Sequence, residues 1–82
     1  MKRFLNMTIA TPEGVIFEGE VESAEVPGTL GAFTLLPLHA ALISSLTGGQ
    51  IVYVKDGKPE KVAIKGGFVE VKQDIVSVCV EQ

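Results

Sequence analysis

The sequence predicts a small all-β sandwich of about ten short strands. Eleven valines and six isoleucines dominate its apolar residues, a composition suited to pleated, half-buried strands. Apolar and polar residues alternate with period two in several windows. Turn-forming Gly, Pro and Asp residues recur at roughly 8–12-residue intervals, the spacing of a sandwich or barrel rather than of a βαβ fold.

Leu5, Met7 and Ile9 alternate with Asn6 and Thr8, which predicts a first half-buried strand. Thr11-Pro12-Glu13-Gly14 places Pro at the second and Gly at the fourth position of a turn. Two strands are expected next, Val15 to Phe17 and Glu20 to Val26, with Gly19 as a bulge or break and Pro27-Gly28 as the end. Ala32 to Leu36 reads as a short strand between Gly31 and Pro37. Ala40 to Leu46 is ambiguous: its spacing suits one helical turn, but Thr47-Gly48-Gly49 cuts it short, so irregular or strand structure is expected. Gln50 to Lys55 and Lys61 to Lys65 form a hairpin around Asp56-Gly57, a strong two-residue turn signal. Gly66-Gly67 is read as a break. Phe68 to Lys72 and Ile75 to Val80 form the last pair, turning at Gln73-Asp74.

At 82 residues the chain makes one small domain, expected to span 1–82. A domain this size buries only roughly 60–65% of its unfolded surface, so its stability is modest. Seven basic and ten acidic residues give a net charge of −3, without the basic field that nucleic acid requires. Met1-Lys2-Arg3 resembles the start of a signal peptide, but Asn6, Thr8 and Glu13 interrupt the apolar run such a peptide needs. No run of about 18 apolar residues is present to span a bilayer. Cys79 is the single cysteine; within Ser77-Val78-Cys79-Val80 it is expected to be a small buried hydrophobe.

Catalytic constellations are scarce. His39 is the only histidine, and no Asp, Glu, Lys or Arg occurs between Val26 and Val54, so a Ser–His–acid triad lacks a nearby acid. One His and one Cys forty residues apart do not make a metal ligand set, and no metal or cofactor is expected. Glu18, Glu20 and Glu22 alternate as a solvated strand face does. Gly28-Thr29-Leu30-Gly31 lacks the lysine and helix of a phosphate loop. The informative feature is the uncharged stretch itself. Pro27, Gly28, Gly31, Pro37, Gly48 and Gly49 make much of it loop, and loops lie on the surface. Some of Leu30, Phe33, Leu36, Leu38 and Leu42 are therefore expected near the surface without charges around them, which is how protein interfaces look.

Val26-Pro27-Gly28-Thr29-Leu30-Gly31-Ala32-Phe33, followed by Leu36-Pro37-Leu38-His39-Ala40, resembles the signature of the epsilon subunit of F-type ATP synthases. Thr11-Pro12-Glu13-Gly14 with Phe17-Glu18-Gly19 is similar to that family's first hairpin, and Gly66-Gly67-Phe68-Val69-Glu70-Val71 to its G-G-F-x-E-V motif. The resemblance spans nearly the whole chain in order. It implies a ten-stranded, non-catalytic sandwich in the central stalk, or rotor, of a proton-translocating ATP synthase. Such a subunit links the gamma subunit to the c-ring and helps couple ion flow to ATP synthesis. It sits peripherally on the cytoplasmic face of the bacterial inner membrane and reaches the membrane only through its partners.

By the same resemblance, the gamma contact is expected at Thr11, Leu38, His39, Leu42 and Ser44. The c-ring contact loop is expected at Thr29, Leu30, Gly31, Ala32 and Phe33. Two positions depart from the family pattern. Ala41 stands where Pro is usual, and neither Leu30 nor Ala32 supplies the acid that often meets the c-ring, which implies an apolar contact there. Many members continue into an inhibitory helical hairpin. This chain stops at Gln82, so neither a C-terminal helical domain nor that inhibition is expected. The alternative reading is a lipoyl- or biotinyl-type cofactor carrier, suggested by Lys55-Asp56-Gly57. Those domains present the lysine at the hairpin tip, where this chain has Asp56-Gly57.

Overall fold

A computed structural model describes residues 3–82. The first two residues of the basic Met1-Lys2-Arg3 segment lie outside the described part. Among the described residues nine strands succeed one another: β1 Leu5–Thr11, β2 Gly14–Val21, β3 Ser23–Gly28, β4 Gly31–Leu35, β5 Leu42–Leu46, β6 Gly49–Lys55, β7 Lys58–Ile64, β8 Gly66–Lys72 and β9 Ile75–Glu81. There is no helix among the described residues, and so none long and apolar enough to cross a membrane. The strands join in the order β2-β1-β9-β8-β5-β3-β6-β7, with β4 paired to β3. These pairings are antiparallel except that of β1 with β9, which run parallel.

The sheet curls until β2 meets β6. The Phe17 and Tyr53 rings stack there at 4.3 Å, and the Glu22 amide donates to the Val54 carbonyl at 2.8 Å. One core fills the interior, and period-two alternation decides who enters it. β1 contributes Leu5, Met7 and Ile9; β9 contributes Val76, Val78 and Val80; β8 adds Val69 and Val71; β6 adds Ile51 and Tyr53. Phe17, Phe33, Leu42 and Val62 pack on it while partly exposed. Among the described residues no polar or charged side chain is buried. Tyr53 lies opposite Glu60 in the β6–β7 ladder; burial raises its phenol pKa, and the Glu60 carboxylate adds to the rise.

The two-residue turns fall where the sequence signals place them. Asp56-Gly57 and Gln73-Asp74 both have positive φ at both positions (52° and 74°, 50° and 63°), the I′ geometry that matches strand twist. The ambiguous Ala40–Leu46 stretch resolves as strand β5 from Leu42 onward.

Several boundaries differ from expectation. β2 runs unbroken through Gly19 to Val21, and the chain bends at Glu22 instead. A Cβ on Gly19 would sit 3.3 Å from the Phe17 ring, so this glycine makes room for the aromatic stack rather than ending the strand. The bulge lies earlier, where Ile9 pairs with Phe17 and Ala10 with Val15. Pro27 lies inside β3. The β6 ladder ends at Glu25 and the β5 contact begins at Gly28, so the missing Pro27 N–H falls where β3 passes from one partner to the other. β7 begins at Lys58, three residues earlier than expected, and tolerates Pro59 because it is an edge strand. Gly66-Gly67 opens β8 rather than breaking the chain. Cys79 is exposed, contrary to its expected burial: Val78 and Val80 take the inward positions of β9, which turns Cys79 outward.

Candidate partner-docking surface

Within the uncharged stretch Val26, Leu35, Leu46, Ile51 and Tyr53 enter the core, while two loops and one face of β5 lie on the surface. Its first loop is the β3–β4 hairpin, with Thr29 and Leu30 at the tip between Gly28 and Gly31. Gly28 is required there: a Cβ would lie 2.7 Å from the Gly31 carbonyl oxygen and 2.8 Å from the Phe33 ring. The hairpin is tied to β5 at its base. The Thr29 amide donates to the Ser45 carbonyl at 3.1 Å, and the Thr29 and Ser45 hydroxyls share a 2.9 Å hydrogen bond. Leu30 projects fully into solvent.

Between this hairpin and β5 lies an open cleft of about 650 Å³, lined by residues 28–33 and 42–45. None of the lining side chains carries a charge. The cleft therefore brings all five expected c-ring residues, Thr29, Leu30, Gly31, Ala32 and Phe33, together with Leu42 and Ser44 from the expected gamma set. Phe33 and Leu42 are half-buried because each also packs on the core. Ile43 was missed by the sequence reading. It is 73% exposed, opposite Glu70 of β8. The signal for it was Leu42, Ser44 and Leu46 sharing one parity: once β5 is a strand, Leu46 buried forces Ile43 outward.

The second loop joins β4 to β5. The His39 amide donates to the Leu36 carbonyl at 3.2 Å, closing a turn with Pro37 second and Leu38 third. Leu38 has φ 69°, the positive value that a type II turn demands at this position. Its side chain is 70% exposed, and Leu36 is exposed beside it. His39 donates from Nδ1 to the Ala40 carbonyl at 2.7 Å. A shallow depression of about 580 Å³ links Leu38, His39 and Ala41 to Arg3 and to the β8–β9 turn.

Thr11 lies apart from these residues. Its neighbour Ala10 pairs with Cys79, whereas the Asn6 amide at the other end of β1 donates to the Asp74 carbonyl, so about 17 Å of strand separates Thr11 from the Leu38 loop. The Thr11 hydroxyl serves the first turn, accepting from the Glu13 amide at 3.1 Å and donating to the Gly14 carbonyl at 3.3 Å. Thr11 also lines an apolar groove of about 370 Å³ with Phe68 and Cys79. Thus the expected gamma contacts fall in three places: Leu42 and Ser44 in the cleft, Leu38 and His39 on the turn, and Thr11 at the far end of β1.

The acidic strand face and the hairpin lysine have local partners. Glu18 accepts a long 3.5 Å hydrogen bond from the Thr8 hydroxyl, and Glu22 accepts from the Gly57 amide at 2.9 Å. Lys55 lies before the hairpin tip, its ammonium donating to the Glu20 carbonyl at 3.4 Å.

Residues 4–82 match the family described as ATP synthase, Delta/Epsilon chain, beta-sandwich domain. Among similar curated proteins, the ATP synthase epsilon chain of Wolinella succinogenes is 47% identical over 79 residues, covering 95% of this chain and 59% of that protein. The ATP synthase epsilon chain of Nitratiruptor sp. is 44% identical over 78 residues, covering 94% and 60%. That of Leptospira borgpetersenii is 40% identical over 74 residues, covering 90% and 58%. The chain thus spans less than two thirds of the length of these relatives.

Among solved structures, a chain of the Euglena gracilis mitochondrial ATP synthase (OSCP/F1/c-ring) superposes with a TM-score of 0.91 at 20% identity, over 96% of this chain and 51% of that one. A chain of the Tetrahymena thermophila mitochondrial ATP synthase (central stalk/c-ring) gives 0.80 at 13% identity, over 99% and 66%. At such identities these two speak for the fold, while the family match rests on sequence over nearly every residue described above. The chain belongs to the β-sandwich family of ATP synthase delta/epsilon chains.

Proposed function

We propose that this domain is the sandwich of an epsilon subunit, a non-catalytic part of the central stalk that joins the gamma subunit to the c-ring of a proton-translocating F-type ATP synthase. The observation that carries the proposal is the exposure of the uncharged stretch. In a family of stalk sandwiches, this chain presents Leu30, Leu36, Leu38 and Ile43 on loops and a strand with no charge between Val26 and Val54. Neutral loops dock without the cost of desolvating ions, which suits a joint that must stay closed under torque. The Leu30 hairpin meets the c-ring through apolar and backbone contacts. The turn at Leu38 and His39 meets gamma, and Leu42 and Ser44 contribute from the neighbouring cleft. Thr11 contributes only if gamma also reaches the far end of β1. The subunit is peripheral, held at the cytoplasmic face of the inner membrane by its partners.

The test is co-purification and reconstitution with gamma and the membrane sector of the same organism. His39→Glu lowers retention on gamma while the domain stays folded, and Leu30→Ser lowers retention on c-ring vesicles. Exposed ion pairs weaken as salt screens them, whereas apolar contacts do not. Full retention of both variants, or c-ring binding that collapses between low and moderate salt, overturns the assignment of these loops.

A further inference from the structure

Leucine is a poor choice for the third position of the Leu36–His39 turn. The positive φ required there favours glycine or asparagine, and a non-glycine residue so placed is strained. Burial does not compensate, because Leu38 is 70% exposed. Something else must hold the backbone. The carboxylate of Asp74 accepts the Leu38 amide at 2.7 Å, a group that the turn's own hydrogen bond leaves unused.

Asp74 is itself placed for this task. It sits at φ 63° in the β8–β9 turn, and its carbonyl accepts the Asn6 amide at 2.8 Å. Its second carboxylate oxygen lies 3.6 Å from the Arg3 guanidinium. One residue thus ties the turn, through its carboxylate, to the β8–β9 hairpin 36 residues away in sequence and, through its carbonyl, to β1. From this geometry we infer that Asp74 is a positioning residue: it holds Leu38 in its strained conformation and so presents the Leu38–His39 turn ready for its partner. The inference rests on the gamma reading above for the partner's identity, but the positioning itself does not depend on it.

Without the carboxylate, Leu38 relaxes toward ordinary backbone geometry, and only a minority of molecules hold the docking form. The left-handed region disfavours a leucine by a factor of roughly 5–30, so apparent affinity for the partner falls by the same factor.

Asp74→Gly isolates this role, because glycine accepts the positive φ of the β8–β9 turn and keeps the fold while deleting the carboxylate. Amide exchange followed by NMR on the free chain is the first readout. In Asp74→Gly the Leu38 amide exchanges about tenfold faster or more, while the β8 and β9 core amides keep their protection. Binding to purified gamma is the second readout, with the 5–30-fold loss expected. Asp74→Asn keeps both an acceptor oxygen and tolerance of positive φ, and restores both readouts toward those of the unmodified chain. If Asp74 merely supports the hairpin, Asp74→Gly leaves both the Leu38 amide and gamma binding unchanged, and the inference falls. If the unmodified chain does not bind gamma, the stalk reading falls instead, and the Leu38 amide alone decides the positioning claim.

Discussion

Replacing Gly67 by alanine sets a methyl group within contact distance of the Cys79 carbonyl oxygen and 2.9 Å from the Val80 Cα. Both are backbone atoms of β9, which pairs with β8 through Gly67 and Val80, so neither can swing aside as a side chain would. Gly67 also has φ 149°, where an alanine costs about 1–3 kcal/mol before any collision is counted. Opening the ladder to admit the methyl sacrifices one or two backbone hydrogen bonds, each worth about 1 kcal/mol. The sum is about 2–5 kcal/mol, against roughly 4–12 kcal/mol for the total stability of a domain this size.

Two other glycines separate the contributions. Gly57 (φ 74°) has nothing within 4 Å of where a Cβ would stand, so Gly57→Ala reports backbone strain alone, about 1 kcal/mol. Gly28→Ala reports close approach alone, through the Gly31 carbonyl and the Phe33 ring. Urea denaturation followed by circular dichroism measures all three. The expected order of loss is Gly57, then Gly28, then Gly67, with the Gly67→Ala midpoint lower by about 3 M if the protein folds at all. A Gly67→Ala midpoint within about 1 M of that of Gly57→Ala refutes the packing argument.

Two further outcomes are expected from the same structure. The Tyr53 phenol has a raised folded-state pKa, through burial first and Glu60 second, so its stability contribution is complete below about pH 10 and is lost as pH rises through the folded pKa. Tyr53→Phe keeps the ring stacked on Phe17 and flattens the alkaline decline of stability; superimposable alkaline limbs for the two proteins contradict this. Cys79, facing outward from β9, reacts with a small maleimide in the native state, and protection until the chain unfolds would restore it to the core.

The residues that local pattern could place were legible in the sequence. Leu5, Met7 and Ile9 alternate and enter the core; Asp56-Gly57 and Gln73-Asp74 make the turns they encode. The loops of the uncharged stretch surface with Leu30, Leu36 and Leu38 exposed, although sequence placed neither Ile43 nor the division of the expected contacts among three locations. Pattern reports only on neighbours a few residues apart, and the remaining features depend on strands far apart in the chain. Cys79 and Val78 are both plausible core residues within β9, and the curl of the sheet chooses between the two faces. Pro27 survives inside β3 only because two ladders change over beside it. Gly67 looks like a break until β9 lies against it. The hold of Asp74 on Leu38 joins two turns that have no relation in sequence. It exists because β5 runs antiparallel beside β8, pairing Leu42 with Val71, and so sets the turn that precedes β5 next to the turn that follows β8.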